Sequence, residues 1–450
     1  MIRPDPFYRC RTRPARRSPM LRLARGGAAL LLACIVIGWF IMPGCEAMPA
    51  RTAASRPRAH ATLLRAAQFN TEPMVRVRLA AGLSTVRLGT PTGRLWIAPP
   101  GAQVGREFDG AVTVHRTGRD FVVQSPHGAM RWILAGLQVR AAGGAVVRVN
   151  DADYAGSIVL HGLDDAATFD VVNHLPMEQY LPGVLTRELY ASWHLETFRA
   201  QAIAARSYAL AAVARWRGRW YDLESTTASQ AYGGANANAR AIQAVADTRG
   251  IALTWRGDVL TTYYSSSAGG TGQDAAAAFP DQPDLPPLRG REHGAWSSAS
   301  PNYRWGPIVR DRAMLAQRLA AWGAANRHAV AHLRGVRDVA VTARNAVGRP
   351  TRFRITDDAG RGFDLGPEAF RFACNFTAPR LPAPAPAQQL KSSHVDVSVR
   401  GAQVVFHNGR GHGHGVGLDQ YGAQAMAQHG YLAPQILAFY YPGSQAQRLY

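Results

Sequence analysis

The chain has 450 residues, 47% of them hydrophobic and 18% charged, and carries a formal net charge of +21. That length suits two to three domain-sized pieces, and that composition excludes a disordered or fibrous chain. Lys391 is the only lysine, so the excess is arginine scattered along the chain. An arginine-for-lysine bias of base composition accounts for the scatter, and attraction to an anionic polymer or a membrane surface is the functional alternative. Without a basic helix, zinc-finger spacing or RNA-binding motif, the charge gives no reason to expect nucleic acid.

In chain order, the first element is an export signal or membrane anchor over 1–45. Residues 1–25 hold eight arginines against Asp5, which leaves +14 for the remainder. An apolar run from Ala28 to Met42 follows, then Pro43-Gly44-Cys45 and small residues. About 15 apolar residues fall short of the roughly 20 that span a bilayer, which favours cleavage over a permanent helix. Cys45 offers a lipoprotein-type acceptor as the alternative. Cys10 and Cys34 lie in the same head, so Cys374 stands by itself in the body, and no disulfide framework or Cys-based metal site can be built.

An Ala/Arg-rich tether is expected over 46–72. From 73 to 174 short alternating segments such as Val75–Leu79, Ala111–His115, Phe121–Gln124, Leu137–Arg140 and Ser157–Leu160 are separated by Gly- and Asp-rich turns. They predict a β-rich N-terminal domain. From 175 to 450 the pattern becomes mixed. Met177–Glu188 predicts a helix in spite of Pro182. A longer helix to about Arg215 has Leu195, Phe198, Ala202, Ala205 and Ala209 along one face, with Ser192 as its N-cap. A helix stopped by Gly250, a strand pair over 251–255 and 259–264, and a helix marked by Leu315, Leu319 and Trp322 come next. Further strands are expected at Val339–Thr342, Arg352–Thr356 and Val395–Val399, and two short helices at Ala423–Gln428 and Pro434–Tyr440. The fold class is α+β, a β-rich N-terminal part packed on a mixed catalytic domain.

Three stretches have the residue types for chemistry. Glu188 closes the first helix among Leu189, Tyr190 and Trp193. Apolar neighbours raise a carboxyl pKa, as a general acid near neutral pH requires; the plain alternative is a salt bridge to Arg187, Arg199 or Arg206. Glu178 lies ten residues earlier, about 15 Å along a straight helix, too far for the roughly 5–9.5 Å of a two-carboxylate glycosidase. Tyr264-Ser265-Ser266-Ser267-Ala268-Gly269-Gly270-Thr271 ends a strand in hydroxyls and a glycine pair, able to bind sugar hydroxyls or acetamido groups or to form an ordinary polar turn. It is not the elbow of a serine hydrolase. Gly409–Gly417 holds glycine at alternate positions with His412 and His414 between them. His414 suits proton transfer or hydrogen bonding better than a metal, because no further ligand falls at a recognised spacing. A structural glycine turn is the alternative.

The order of these blocks is more specific than any of them. Leu175-Pro-Met-Glu-Gln-Tyr-Leu-Pro-Gly-Val184, the Glu188 turn, Ala200-Gln-Ala through Ala-Arg-Ser-Tyr208, Ser229-Gln-Ala-Tyr-Gly233, Tyr264–Thr271, Gly413–Ala423 and Ile436–Gly443 resemble the stage II sporulation protein D (SpoIID/LytB) family over roughly 150–445. The resemblance implies lytic cleavage of peptidoglycan glycan strands, with Glu188 as catalytic acid and an anhydro-sugar product. Its alternative is a non-catalytic wall-binding activator of an N-acetylmuramoyl-L-alanine amidase. Candidate substrate-binding residues are Arg206, Tyr208, Gln230, Tyr264, Ser265, Ser266, Gly269, Gly270, His414, Gln420 and Tyr421. No cofactor is expected, and membrane contact only through the N-terminal segment of an exported, envelope-located protein. Departures are His194 for Pro, Ala268 for Cys and Asp419 for Ser. Some members bind zinc through Cys and His, and zinc is not carried over here.

Overall fold

The computed structural model describes residues 65, 66 and 69–450, apart from 134 and 166. The export segment and most of the tether lie outside these residues. The described residues belong to one compact unit.

The alternating N-terminal segments form strands β1 (Met74–Leu83), β2 (Thr85–Gly89), β3 (Arg94–Ala98), β4 (Arg106–Asp109), β5 (Val112–Thr117), β6 (Asp120–Ser125), β7 (Gly128–Ile133), β8 (Gly136–Ala141), β9 (Val147–Val149), β10 (Ala152–Tyr154), β11 (Ser157–Gly162) and β12 (Phe169–Pro176). In β5, for example, Val112 and Val114 are buried while Thr113 and His115 are not, the two-residue period of a half-buried strand. One sheet runs β10-β9-β2-β5-β6-β7. The other begins β4-β3-β8-β11-β12-β1 and ends on β13 (Leu223–Glu224), which pairs parallel with β1. Val86, Leu88, Val114 and Val123 of the first sheet share one apolar cluster with Leu95, Ile97, Val139 and Leu160 of the second. The two sheets are thus packed face to face as a sandwich.

Helix α1 (Met177–Glu188) leaves β12 directly, with Pro182 inside it. Helix α2 (Leu195–Arg215) is the central element. The sequence spacing predicts one apolar face, but the structure buries it on two sides. Phe198, Ala202, Ala205 and Ala209 meet α1, α3 (Ala239–Asp247) and Val75 and Val77 of β1. Ala200, Ile203 and Ala204 meet the C-terminal helices α7 (Gln420–Gln428) and α8 (Ala433–Tyr440). Alanine on both sides lets four helices approach one axis, which an amphipathic pattern does not announce. The cap also differs from expectation. His194 caps α2, its Nδ1 accepting from Glu196 N at 3.2 Å, and Ser192 stands in the turn before it.

Between α3 and the C-terminal helices the chain forms β14 (Ile251–Trp255), β15 (Asp258–Val259), β16 (Tyr264–Ser265) and the one-turn helix α4 (Ala275–Ala278). A third lobe follows: β17 (Arg304–Trp305), β18 (Ile308–Asp311), α5 (Arg312–Asn326), β19 (Asp338–Arg344), β20 (Pro350–Thr356), β21 (Gly362–Leu365), α6 (Pro367–Asn375), β22 (Asp396–Arg400) and β23 (Gln403–His407). It has its own core around Phe353, Phe370 and Phe406. The chain returns through β24 (Gly409–Arg410) and β25 (Leu418–Asp419), the latter pairing in parallel with β16. That pairing sets the Gly/His stretch against the Ser-rich turn. The last strand, β26 (Gln445–Arg448), pairs with β14. Among the described residues, no helix is long and apolar enough to cross a membrane.

Candidate functional site

Glu188 is the last residue of α1, half-buried, with its two carboxylate oxygens turned to opposite walls. Oε1 accepts from the backbone N–H of Ala231 at 3.1 Å, in the loop after β13. Oε2 accepts from Gln420 Nε2 at 3.1 Å, on the first residue of α7. Burial pushes this carboxyl above its ordinary value, and the two donated hydrogen bonds pull it back without cancelling the rise. The plain alternative of a salt bridge is not what the structure shows, since no arginine is among the groups acting on Glu188. The Tyr180 and Tyr264 phenols both lie close enough to feel its charge.

Gln230 holds this floor together. Its side chain is 1% exposed, accepts from Tyr180 Oη at 3.1 Å, and donates to Tyr264 Oη at 2.9 Å and to the Ala205 carbonyl at 3.2 Å. Gln230 therefore positions the aromatic floor rather than facing a ligand. Tyr264 and Ser266 are partly open. Tyr421 is also partly open, and its backbone N–H donates to the Ser266 carbonyl at 3.1 Å, joining α7 to the Ser-rich turn.

Other expected contacts are placed differently. Arg206 is fully buried; it donates to Glu178 at 2.7 and 2.8 Å and to the Ile251 carbonyl at 3.0 Å. A guanidinium so enclosed has no face for a substrate, and Arg206 is a structural counter-ion. Burial pushes the Glu178 carboxyl up, but Arg206, Tyr450 and the Gly250 N–H outweigh it and hold it below its ordinary value. Tyr208 packs edge-on against Tyr263, ring centroids 5.7 Å apart. Ser265 is buried, its Oγ accepting from Gly415 N at 3.2 Å.

Gly269 and Gly270 are also buried, so the expectation that they meet a sugar is corrected. The reason is a close backbone crossing: a Cβ on Gly411 would lie 2.4 Å from the Ser267 carbonyl oxygen, and one on Gly269 2.5 Å from Gly411 N. Gly415 passes over the fully buried Arg349, whose guanidinium donates to the carbonyls of Ala268, Thr271 and His414 at 3.0, 2.9 and 3.1 Å. The Gly/His stretch is thus a tightly packed tie behind the site. His414 Nδ1 accepts from Val416 N at 2.9 Å, and a hydrogen bond to the Tyr264 backbone engages the ring as well. Burial lowers its pKa to about 4, so it is a neutral hydrogen-bonding histidine at ordinary pH. Asp419 is the N-cap of α7, accepting from Gly422 N at 3.0 Å and from Ala268 N at 2.8 Å. Its carboxyl is pushed up to about 6 by burial. The departure at 419 is accommodated as a cap that also ties α7 to the Ser-rich turn.

The residues do not fit the zinc of some relatives. Ala268 offers no ligand, His414 is committed to Val416 and Tyr264, and among the described residues no three His, Cys, Asp or Glu are gathered as a metal site. What the sequence reading missed is the surface beside Glu188. It treated Tyr190 and Trp193 as greasy neighbours, yet Tyr190 is 61% exposed and Trp193 partly so. Tyr190, Trp193 and Tyr421 are in mutual contact, with centroid separations of 5.3, 5.0 and 6.3 Å. The signal available in the sequence was an aromatic pair, Tyr190 and Trp193, two and five residues after the acid.

Comparison with known proteins points the same way. The profile described as Stage II sporulation protein matches residues 165–255, a span that includes Glu188, Arg206 and Gln230. An uncharacterized protein of Brachyspira hyodysenteriae is 28% identical over 66% of this chain and 72% of its own length. The Amidase enhancer of Bacillus subtilis is 27% identical over 59% of this chain but only 40% of its own length. The Stage II sporulation protein D of Bacillus subtilis is 24% identical over 61% of this chain and 75% of its own. These comparisons support the resemblance of the chain to the stage II sporulation protein D (SpoIID/LytB) family and a role related to the cell wall.

Proposed function

We propose that the protein acts on the glycan strands of peptidoglycan as a lytic transglycosylase, with Glu188 as its single general acid. The observation that carries this reading is a half-open carboxyl raised by burial and flanked by two fixed N–H donors. The rise favours the protonated form that a general acid needs; once the proton leaves, Ala231 N and Gln420 Nε2 stabilise the carboxylate. In the proposed reaction Glu188 protonates the glycosidic oxygen as the C1–O bond breaks. The 6-hydroxyl of the same sugar closes on C1, and its proton returns to Glu188. One bond forms, one breaks, and no water is consumed. Support for a lone acid comes from Glu178, which is tied to Arg206 and Tyr450 instead of facing the site.

A second reading rests on the similarity to a protein named Amidase enhancer: the chain binds wall glycan and activates a cell-wall amidase without cleaving glycan. Under either reading we place the protein outside the cytoplasmic membrane, through the N-terminal segment. The deciding experiment incubates the full chain and Glu188→Gln with denuded glycan strands and seeks anhydro-sugar ends by mass spectrometry. Anhydro ends from the parent, reduced by a factor of about a hundred or more in Glu188→Gln, are expected for a general acid. If neither protein makes such ends and both raise amidase activity equally, the second reading replaces the first.

A further inference from the structure

Three aromatic side chains lie at the surface beside an acid that the fold otherwise encloses. Tyr190 follows Glu188 by two residues and Trp193 by five, both in the short connection from α1 to α2; Tyr421 follows Gln420, the donor to Glu188 Oε2. Burying such rings would stabilise the fold, so a contiguous aromatic patch left in water calls for another explanation. The patch is also held rigidly. Arg240 Nη1 donates to the carbonyls of Ala191 and Trp193 at 2.8 and 2.9 Å. Gln424 Oε1 accepts from His194 N and Thr197 Oγ1, both at 2.8 Å. Trp193 sits edge-on to Tyr421, at 75°. A guanidinium and a buried amide thus fix the loop that carries Tyr190 and Trp193, with Tyr190 its exposed aromatic ring.

Resting on the glycan reading above, we propose that Tyr190, Trp193 and Tyr421 form a stacking platform for the pyranose ring next to the bond that Glu188 protonates. A β-linked amino sugar presents a face of axial C–H groups, slightly positive and apolar, which suits the electron-rich face of Tyr or Trp. Rigid two-torsion side chains bind such a face at low entropic cost. Because Gln420 and Tyr421 are consecutive on α7, a ring seated on the platform is registered against the same element that orients the carboxyl. The residues stacking the sugar are positioning residues, and Glu188 remains the acid.

The test titrates the full chain carrying Glu188→Gln with a soluble β-1,4-linked N-acetylglucosamine oligomer, by calorimetry, so that binding is read without turnover. Adding Tyr190→Ala or Trp193→Ala is expected to weaken binding about ten-fold each, while Tyr190→Phe keeps the affinity within about two-fold. Circular dichroism and the thermal midpoint monitor folding. Tyr190 is mostly in water, so its loss should leave both unchanged, and it decides the matter if Trp193→Ala proves unstable. Equal affinity in the parent, Tyr190→Ala and Trp193→Ala overturns the platform while leaving the glycan reading standing. Absence of binding by every form, the parent included, overturns the glycan reading and the platform with it.

Discussion

The two ends of α1 place the same side chain in opposite circumstances. Glu178, in the first turn, is enclosed but paired with Arg206, Tyr450 and the Gly250 N–H, and its carboxyl is held low. Glu188, at the last residue, is likewise half-buried but held high, because its donors are neutral and no cation stands beside it. Burial by itself does not decide a carboxylate's chemistry; the charge of what replaces water does. One end of the helix is an ion-paired anchor and the other a carboxyl without a counter-ion.

Separating the two should produce the largest effect at the anchored end. Arg206→Met leaves the Glu178 carboxylate buried without its counter-ion and is expected to cost about 3–5 kcal/mol in urea unfolding at neutral pH. A loss below about 1 kcal/mol would show that the pair is not an anchor. The second effect is a contrast in pH dependence. Glu178 binds its proton more weakly folded than unfolded, so its contribution is present above the ordinary value of 4.5 and lost as pH falls through the folded value. Glu188 binds its proton more tightly folded, so its contribution is full below 4.5 and lost as pH rises through the folded value. Against the parent, Glu178→Gln should therefore be less stable at neutral pH, with the gap closing in acid. Glu188→Gln should be as stable or more so at neutral pH, with that difference vanishing in acid. Thermal midpoints across pH read both, and parallel curves would remove the contrast. The smallest effect sharpens the open end. Gln420→Ala removes a donor that lowers the Glu188 pKa, so the alkaline limb of the activity profile should move upward by less than about one pH unit. A downward shift would mean that the amide holds the acid form instead.

The β-rich region was readable because strand alternation is a local property: Val112 and Val114 declare their face without reference to the rest of the chain. Helix α2 was readable in its position but not in its surroundings. Alanine satisfies one buried face or two equally well, and neighbours from the C-terminal helices decide which. Arg206 drew attention through the Ala200–Tyr208 block of the family resemblance, yet its partner Glu178 was weighed only as a second acid. The Gly/His stretch was read for its histidines, whereas its glycines carry the structure through a crossing with residues 267–269.

From the sequence by itself came the mixed α+β class, the candidate acid and the resemblance to a cell-wall-related family, since short-range periodicity and block order survive without coordinates. Tertiary structure decided which polar residues are scaffold and which face solvent. Gln420 meets Glu188 across 232 positions, and Gln424 fixes the loop at His194 across 230. Contacts at such separations depend on how helices pack about α2, and the hydrogen-bond partners of position 188 come from those distant segments.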